Sequence, residues 1–145
     1  QEHIENYLRV LQKCYRNIPD IQWEIGEDIE REEIPRMILY PLVENSVFHG
    51  IVPSDRQCML RVSFTREEEW VMVSVEDDGI GCGKEEMEEI KLHLASERVG
   101  NHIGLFNVNG RLKLIYGESC LFSIDRRPEG GTMIRFGFCN EGRKA

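Results

Sequence analysis

Hydrophobic and polar positions along the chain follow two repeats, one typical of helices and one typical of strands. Four segments place apolar residues at every third or fourth position, and this spacing predicts helices over 1–17, 34–50, 83–95 and 103–117. Five shorter runs rich in β-formers predict strands over 21–25, 59–65, 70–76, 120–126 and 132–139. The run 70–76 is the most apolar, so we expect it at the centre of a sheet. Helices placed between hairpins are compatible with an α/β fold.

The helix over 34–50 departs from local rules in ways that point to function. Pro35 suits the first turn, but Pro41 lies in the interior, where it removes a backbone hydrogen bond. Asn45 and His49 continue the stripe begun by apolar residues, so an amide and an imidazole occupy the face normally given to the core. Gly50 is expected to end the helix with a positive φ. Such departures are typical of functional sites.

Two interpretations of this helix remain open from its residues alone. Asn45 can be a buried amide that bridges neighbouring backbone, with Glu44 in solvent, since buried amides usually satisfy hydrogen bonds. Alternatively, both side chains belong to a site, which requires partners elsewhere in the chain.

Composition limits the class of protein. The chain has 145 residues, of which 41% are hydrophobic, enough for one domain with one core. A net charge of −8 argues against binding to nucleic acid or anionic membranes. No apolar run is long enough to span a bilayer, and no signal-peptide pattern is present. Five widely spaced cysteines without a CxxC pair favour free thiols in a reducing compartment.

A second motif, Asp77-Asp78-Gly79-Ile80-Gly81, directly follows the most apolar strand. It can be a simple turn, because Asp-Gly pairs are common turn formers. It can also fix a carboxylate at a strand end, where it accepts a hydrogen bond from an amine while the glycines allow a ligand to approach.

A third candidate site precedes the last predicted helix. The polar segment 96–102, which ends in Gly100-Asn101-His102, is a candidate lid. The helix that follows offers unpaired N–H groups to an anion at its first turn. Asn107 and Arg111 are four residues apart and share one face, although a helical arginine more often forms a surface ion pair.

These stretches, taken together and in order, resemble the motifs of the GHKL ATPases, the superfamily of gyrase, Hsp90, histidine kinases and MutL. The stretch 41–50 resembles the asparagine box, 77–81 and 100–108 resemble the two glycine boxes, and 130–132 resembles the terminal Gly-Thr element. The form of the motifs is similar to that of LytS-type bacterial sensor histidine kinases. The resemblance implies the Bergerat fold, an α/β two-layer sandwich of a mixed β-sheet with helices on one face.

The resemblance implies a site for ATP and Mg²⁺. Asn45 would hold Mg²⁺ through its amide oxygen, and Asp77 would accept the adenine amine. Gly79 and Gly81 would shape the adenine pocket and the lid hinge, and Thr132 would support Asp77.

The resemblance also implies roles around the phosphates. Gly104 and Leu105 would donate backbone N–H groups, and His49 and Arg111 would add positive charge. Glu44 would act as general base or orient the accepting imidazole.

Three further positions belong to the same comparison. Asn107 falls in the second glycine box and is counted with the nucleotide-binding residues. His102 stands where glycine is frequent and would tighten the lid or contact a phosphate, and Asp78 stands where asparagine is common.

None of the four histidines, His3, His49, His93 and His102, lies in a His-Phe context like that of the acceptor of these kinases. The resemblance therefore implies a catalytic domain (18–140) with a lead-in helix (1–17) from an upstream dimerisation and acceptor segment and a short tail (141–145). Alone it should bind ATP without autophosphorylating. The parent is expected to be a membrane-anchored homodimer with this part in the cytoplasm and a response regulator as partner.

Two other functions remain open. One is a non-catalytic nucleotide-sensing interaction module of the same fold, against which the presence of both Glu44 and Asn45 argues. The other is a GHKL ATPase that drives a conformational change, against which the short chain argues.

Overall fold

A computed structural model describes residues 2–29, 36–95 and 103–139, and within them one sheet of five strands forms the centre of the fold. The strands lie in the order β1-β2-β3-β5-β4. Only β1 and β2 are parallel, so the sheet is mixed, and β3 is central as predicted. The strand bounds are Ile21–Ile25 for β1, Leu60–Glu67 for β2, Trp70–Asp77 for β3, Cys120–Arg126 for β4 and Thr132–Cys139 for β5.

Helices cover one face of this sheet. Alternate residues of β3 explain why, because Val71, Val73 and Val75 are fully buried on the face toward the helices. The opposite face carries ion pairs such as the one between Arg61 and Glu76, at 3.2 Å. The predicted α/β two-layer sandwich is confirmed. The helices are α1 (Glu2–Cys14), α2 (Arg36–Asn45), α3 (Lys84–Ala95) and α4 (Ile103–Tyr116).

The helix predicted over 34–50 changes its hydrogen-bonding pattern after Asn45. A π-helical segment, Ser46–Ile51, follows α2, and the N–H of Val52 donates to Val47 O, five residues back. Pro41 lies inside α2, as predicted. The prediction for Gly50 was wrong, because this residue lies within the π-helical segment and is not among the glycines with positive φ.

Helix α4 is close to its predicted bounds, and Gly117 follows it with a φ of +62°. Leu105, Val108 and Leu112 are buried, but Ile115 is exposed and its neighbour Tyr116 packs inward instead. The rings of Tyr116 and Phe138 stack with centroids 4.5 Å apart.

Some predictions fall outside the described residues. They are the helix start at Ile34 and Pro35, the candidate lid with His102, and the tail 141–145. All five cysteines are free, as expected. Within the described parts of the chain, no helix combines the length and apolarity needed to cross a membrane.

Candidate functional site

Asp77 is the buried centre of the candidate site. It ends β3, and the two-residue repeat of the strand turns its side chain toward the helices in line with Val75. The residue is 1% exposed. The backbone N–H of Gly79 donates to Oδ1 at 3.0 Å, whereas Oδ2 is buried and has no hydrogen-bond partner among the described residues. A buried carboxylate oxygen without a hydrogen-bond donor is uncommon in folded proteins and points to a missing partner, such as a ligand or a water molecule.

Burial raises the pKa of Asp77 to about 6. The N–H of Gly79 and the nearby hydroxyl of Ser46 lower this pKa, the charge of Asp78 raises it, and the guanidinium of Arg127 lowers it. The Ser46 hydroxyl is itself buried, and its geometry to the described residues does not meet the criteria for a hydrogen bond. Asp77 is therefore ionised at neutral pH in spite of its burial, with one oxygen undersatisfied.

The π-helical segment and the turn after β3 approach each other through glycines. The N–H of Ile80 donates to Gly50 O at 3.0 Å. A Cβ on Gly79 would overlap the Gly50 carbonyl, and a Cβ on Gly50 would overlap Oδ1 of Asp77. Glycine is therefore required at both positions, because the neighbouring atoms leave no room for a Cβ. The asparagine box and the first glycine box form one structural unit around Asp77.

The β4–β5 turn closes a further side of Asp77. Thr132 lies opposite Asp77 in the β3–β5 ladder and is buried. Gly131 has a φ of +96°, and a Cβ there would overlap Asp77 O. Arg127 donates to Gly130 O at 3.1 Å and to Asp77 O at 3.5 Å. Arg127 thus joins the turn to the end of β3.

A cavity of about 300 Å³ opens beside these residues, within the usual range for small-ligand sites. Of the predicted site residues that the structure describes, six line it: Asn45, His49, Asp77, Gly81, Leu105 and Thr132. The other described residues of its wall are Phe48, Gly50, Pro53, Ile80, Cys82, Glu86, Ile90 and Ile124. The structure therefore brings together residues from the asparagine box, both glycine boxes and the last hairpin.

The other predicted site residues within the described parts of the chain lie outside the cavity wall. Gly79 packs behind the cavity against Gly50. Gly104 and Asn107 are exposed on α4, and Arg111 is half-buried further along that helix; none of the three lines the cavity. Because α4 begins at Ile103, Gly104 and Leu105 lie in the first turn, whose N–H groups have no acceptor within the helix.

Glu44 also lies outside the cavity wall. It is half-buried on the side of α2 that faces α1, where its Oε1 accepts a hydrogen bond from the Tyr7 hydroxyl at 3.0 Å. Burial and the bond to Glu44 raise the pKa of Tyr7 to about 12. This contact joins residues that are 37 positions apart in sequence.

Sequence reasoning missed several residues of the site. Ser46, Phe48 and Cys82 stand inside or beside the quoted motifs and could have been marked from that proximity. Arg127 gave no local signal, because an arginine before a Pro-Glu-Gly-Gly turn is indistinguishable from a solvated one.

Residues 30–141 match the family described as histidine kinase-, DNA gyrase B-, and HSP90-like ATPase, which is most of the chain. The chain belongs to this family. Membership implies a nucleotide as the ligand of the domain and confirms the predicted superfamily. The alignment extends through every motif on which the resemblance was based.

The curated relatives of the chain are sensor kinases. It is 33% identical over 138 residues to the sensor histidine kinase YpdA of Escherichia coli (strain K12), covering 95% of this chain and 23% of that protein. It is 27% identical over 134 residues to the sensor protein LytS of Bacillus anthracis, covering 92% of this chain and 23% of that protein. The chain thus spans less than a quarter of the length of these relatives.

Solved structures share the fold. The nucleotide-free catalytic domain of the histidine kinase ThkA superposes with a TM-score of 0.65 at 17% identity, over 95% of this chain and 92% of that one. The same kinase in complex with the response regulator TrrA superposes with a TM-score of 0.61 at 20% identity, over 99% and 41%. The fold is therefore that of histidine kinase catalytic domains.

Proposed function

We propose that this chain is the ATP-binding catalytic domain of a two-component sensor histidine kinase that transfers the γ-phosphoryl group of ATP to a histidine in an upstream segment. The observation that carries the proposal is the buried Asp77, which lines a cavity together with Asn45 and with Leu105 from the first turn of α4, and whose Oδ2 has no hydrogen-bond partner among the described residues. An acceptor, an amide and a helix N-terminus at one cavity support a nucleotide as its ligand.

The adenine end of the ligand fits Asp77. An ionised carboxylate accepts hydrogen bonds only, so Oδ2 pairs with the exocyclic amine of adenine and leaves the keto group of guanine without a donor. Thr132, opposite Asp77 in the ladder, supports this carboxylate from the neighbouring strand. Gly81, with a φ of +65°, shapes the adjoining wall and serves as the hinge of the lid.

The phosphate end fits the start of α4. The N–H groups of Gly104 and Leu105 and the helix dipole favour an anion there. His49 in the cavity wall, His102, and the α4 residues Asn107 and Arg111 are the further phosphate-side residues of the proposal.

A Mg²⁺ ion fits the donor set at Asn45, whose amide offers a hard oxygen ligand at the cavity wall. Across residues 2–29, 36–95 and 103–139, no group of three or more His, Cys, Asp or Glu side chains could hold a metal ion. Mg²⁺ at Asn45 would therefore take its other ligands from phosphates and water, and it would neutralise phosphate charge.

In the transfer step, Glu44 acts on the imidazole that accepts the phosphoryl group. One imidazole nitrogen attacks the γ-phosphorus, the bond from phosphorus to the bridging oxygen of ADP breaks, and Glu44 orients the imidazole or accepts the proton from its other nitrogen. ADP leaves with the electron pair of the broken bond.

The proposal includes the partners. Residues 1–17 lead in from the dimerisation and acceptor segment, 18–140 form the catalytic domain and 141–145 are a tail. The parent is a membrane-anchored homodimer with this domain in the cytoplasm, and it passes its phosphoryl group to a response regulator, as the complex of ThkA with TrrA suggests by analogy.

The decisive experiment uses the protein with its upstream segment and ATP labelled at the γ-phosphate. The expected result is label on a histidine, labile in acid and stable in base, that Asn45→Ala strongly reduces. Nucleotide binding without any transfer would favour the second candidate, a nucleotide-sensing module that uses the same cavity.

A further inference from the structure

Helix α1 reaches the helix of the asparagine box through one tyrosine. The Tyr7 hydroxyl donates to Glu44 Oε1 at 3.0 Å. The ring of the same residue packs edge-on against Tyr40, with centroids 5.7 Å apart and an interplanar angle of 68°. Because Tyr40 and Glu44 are one turn apart on α2, Tyr7 is fixed at two points on one face of that helix.

The rest of α1 makes this position rigid. Ile4 and Leu8, on either side of Tyr7, are buried in the common core. Trp23 of β1 donates to Glu5 Oε1 at 2.8 Å. The phenol is therefore presented to Glu44 from a helix whose own placement is determined by packing.

The contact engages only one of the two carboxylate oxygens of Glu44. A glutamate has three rotatable side-chain torsions, so an unanchored carboxylate samples many positions. A donor from a second element holds Oε1 and thereby directs the carboxylate, while Oε2 still suffices to accept a hydrogen bond or a proton. Asn45, the next residue, lines the cavity, so Glu44 is carried by the same turn of α2, about 100° round the helix from a cavity residue.

We propose that Tyr7 is a positioning residue for phosphotransfer, which holds the Glu44 carboxylate in the orientation that meets the accepting imidazole. The inference rests on the proposed function, because it needs Glu44 to act on the acceptor. It adds a residue of α1 to the machinery, and it couples the placement of α1 to the catalytic carboxylate.

The test uses the full-length protein carrying the acceptor segment. Tyr7→Phe retains the ring against Tyr40 and removes only the donor. We expect the maximal autophosphorylation rate to fall about five-fold or more, a part of the roughly 10²–10⁴-fold that a positioned acid or base contributes. The KM for ATP and the Kd for ADP should stay unchanged, and the Tm should fall by no more than the loss of one part-buried hydrogen bond explains.

Combining Tyr7→Phe with a substitution of Glu44 distinguishes a positioning role of Tyr7 from a general effect on stability. In Glu44→Gln, whose rate should already be low, adding Tyr7→Phe should change the rate by less than about two-fold, since residues that act as a unit are not additive. Tyr15→Phe is the matched control, because Tyr15 meets Phe48 through its ring, with centroids 5.9 Å apart. Its rate should equal that of the parent.

Each other outcome overturns the inference in a recognisable way. A Tyr7→Phe rate equal to the parent, or an equal loss in both backgrounds, would show that Tyr7 does not act through Glu44. A normal rate in Glu44→Gln would remove the carboxylate that Tyr7 is proposed to position. A parent protein that binds ATP but never labels a histidine would instead refute the proposed function, and the inference with it.

Discussion

The N–H of Ile80 donates to the carbonyl oxygen of Gly50 at 3.0 Å, and this bond joins the end of the asparagine box to the turn that follows Asp77. The two backbones meet closely because residues 50 and 79 lack a Cβ. The stretch that carries Asn45 and the stretch that carries Asp77 are therefore held in fixed relation by a backbone hydrogen bond and by the close approach of their backbones.

Gly79→Ala tests this close approach. The new Cβ would overlap the Gly50 carbonyl, a backbone group that cannot rotate away, so we expect a loss of about 1–3 kcal/mol in the free energy of unfolding. Gly83→Ala is the control, because a Cβ there meets nothing within 4 Å, and it should lose less stability than Gly79→Ala, since only the N-cap preference of α3 opposes it. Denaturant unfolding measures the free energy of unfolding of both variants. Equal values for Gly79→Ala and Gly83→Ala would contradict the close packing of residues 50 and 79.

The β4–β5 turn allows conformational strain and steric overlap to be separated. Gly130 and Gly131 both have positive φ, +107° and +96°, but only at Gly131 would a Cβ overlap Asp77 O. Gly130→Ala should lose about 1–2 kcal/mol of stability from backbone strain. Gly131→Ala should lose more and should also weaken nucleotide binding, measured by calorimetry. Equal losses in the two variants would show that the turn does not support Asp77.

The raised pKa of Asp77 predicts that this residue destabilises the unliganded domain at neutral pH. A shift from 3.8 to about 6 corresponds to about 3 kcal/mol, which is present as stability below pH 3.8 and lost as pH rises through about 6. Asp77→Asn cannot titrate and removes this dependence. Its stability relative to the parent should therefore rise between pH 4 and pH 7, whatever constant penalty its buried amide adds.

Denaturant unfolding of the parent and of Asp77→Asn at several pH values between 4 and 8 measures this difference. Identical pH dependence in the two proteins would contradict the assignment. The same variant should lose the preference for ATP over GTP, because the amide presents a donor where adenine needs an acceptor.

Arg127 should set the pH at which nucleotide binding is lost. In the proposed function, binding needs the ionised carboxylate of Asp77, so we expect affinity to fall as pH drops through about 6. The guanidinium of Arg127 lowers the pKa of Asp77, so Arg127→Gln should move the midpoint of this loss to higher pH. Arg135→Gln, which removes a surface partner of Glu67, is the control and should leave the midpoint in place. A midpoint unchanged in Arg127→Gln would exclude this role.

Much of the fold was predictable because its signals are local. The high apolar content of β3 identified the central strand, and the periodicity of α4 identified the helix Ile103–Tyr116. The family motifs located Asn45 and Asp77, which both line the cavity. In each case the decisive physical constraint acts within one strand or one helix.

The sequence failed where constraints come from distant segments. Gly50 was expected to stop a helix through its φ, but the structure needs its missing Cβ because Asp77 approaches from another element. The bonds from Tyr7 to Glu44 and from Arg127 to Asp77 join residues 37 and 50 positions apart, and no periodicity encodes them. Long-range packing determines these contacts, so they become visible only when the elements are assembled.

The central claim is that Asn45 and Asp77 share one nucleotide site, and calorimetric titration of this chain tests it most directly. ADP and a non-hydrolysable ATP analogue are titrated with and without Mg²⁺ into the parent and into Asn45→Ala. We expect binding that Mg²⁺ strengthens in the parent and a much smaller effect of Mg²⁺ in the variant. Absence of binding under both conditions, or an unchanged effect of Mg²⁺ in Asn45→Ala, would contradict the account.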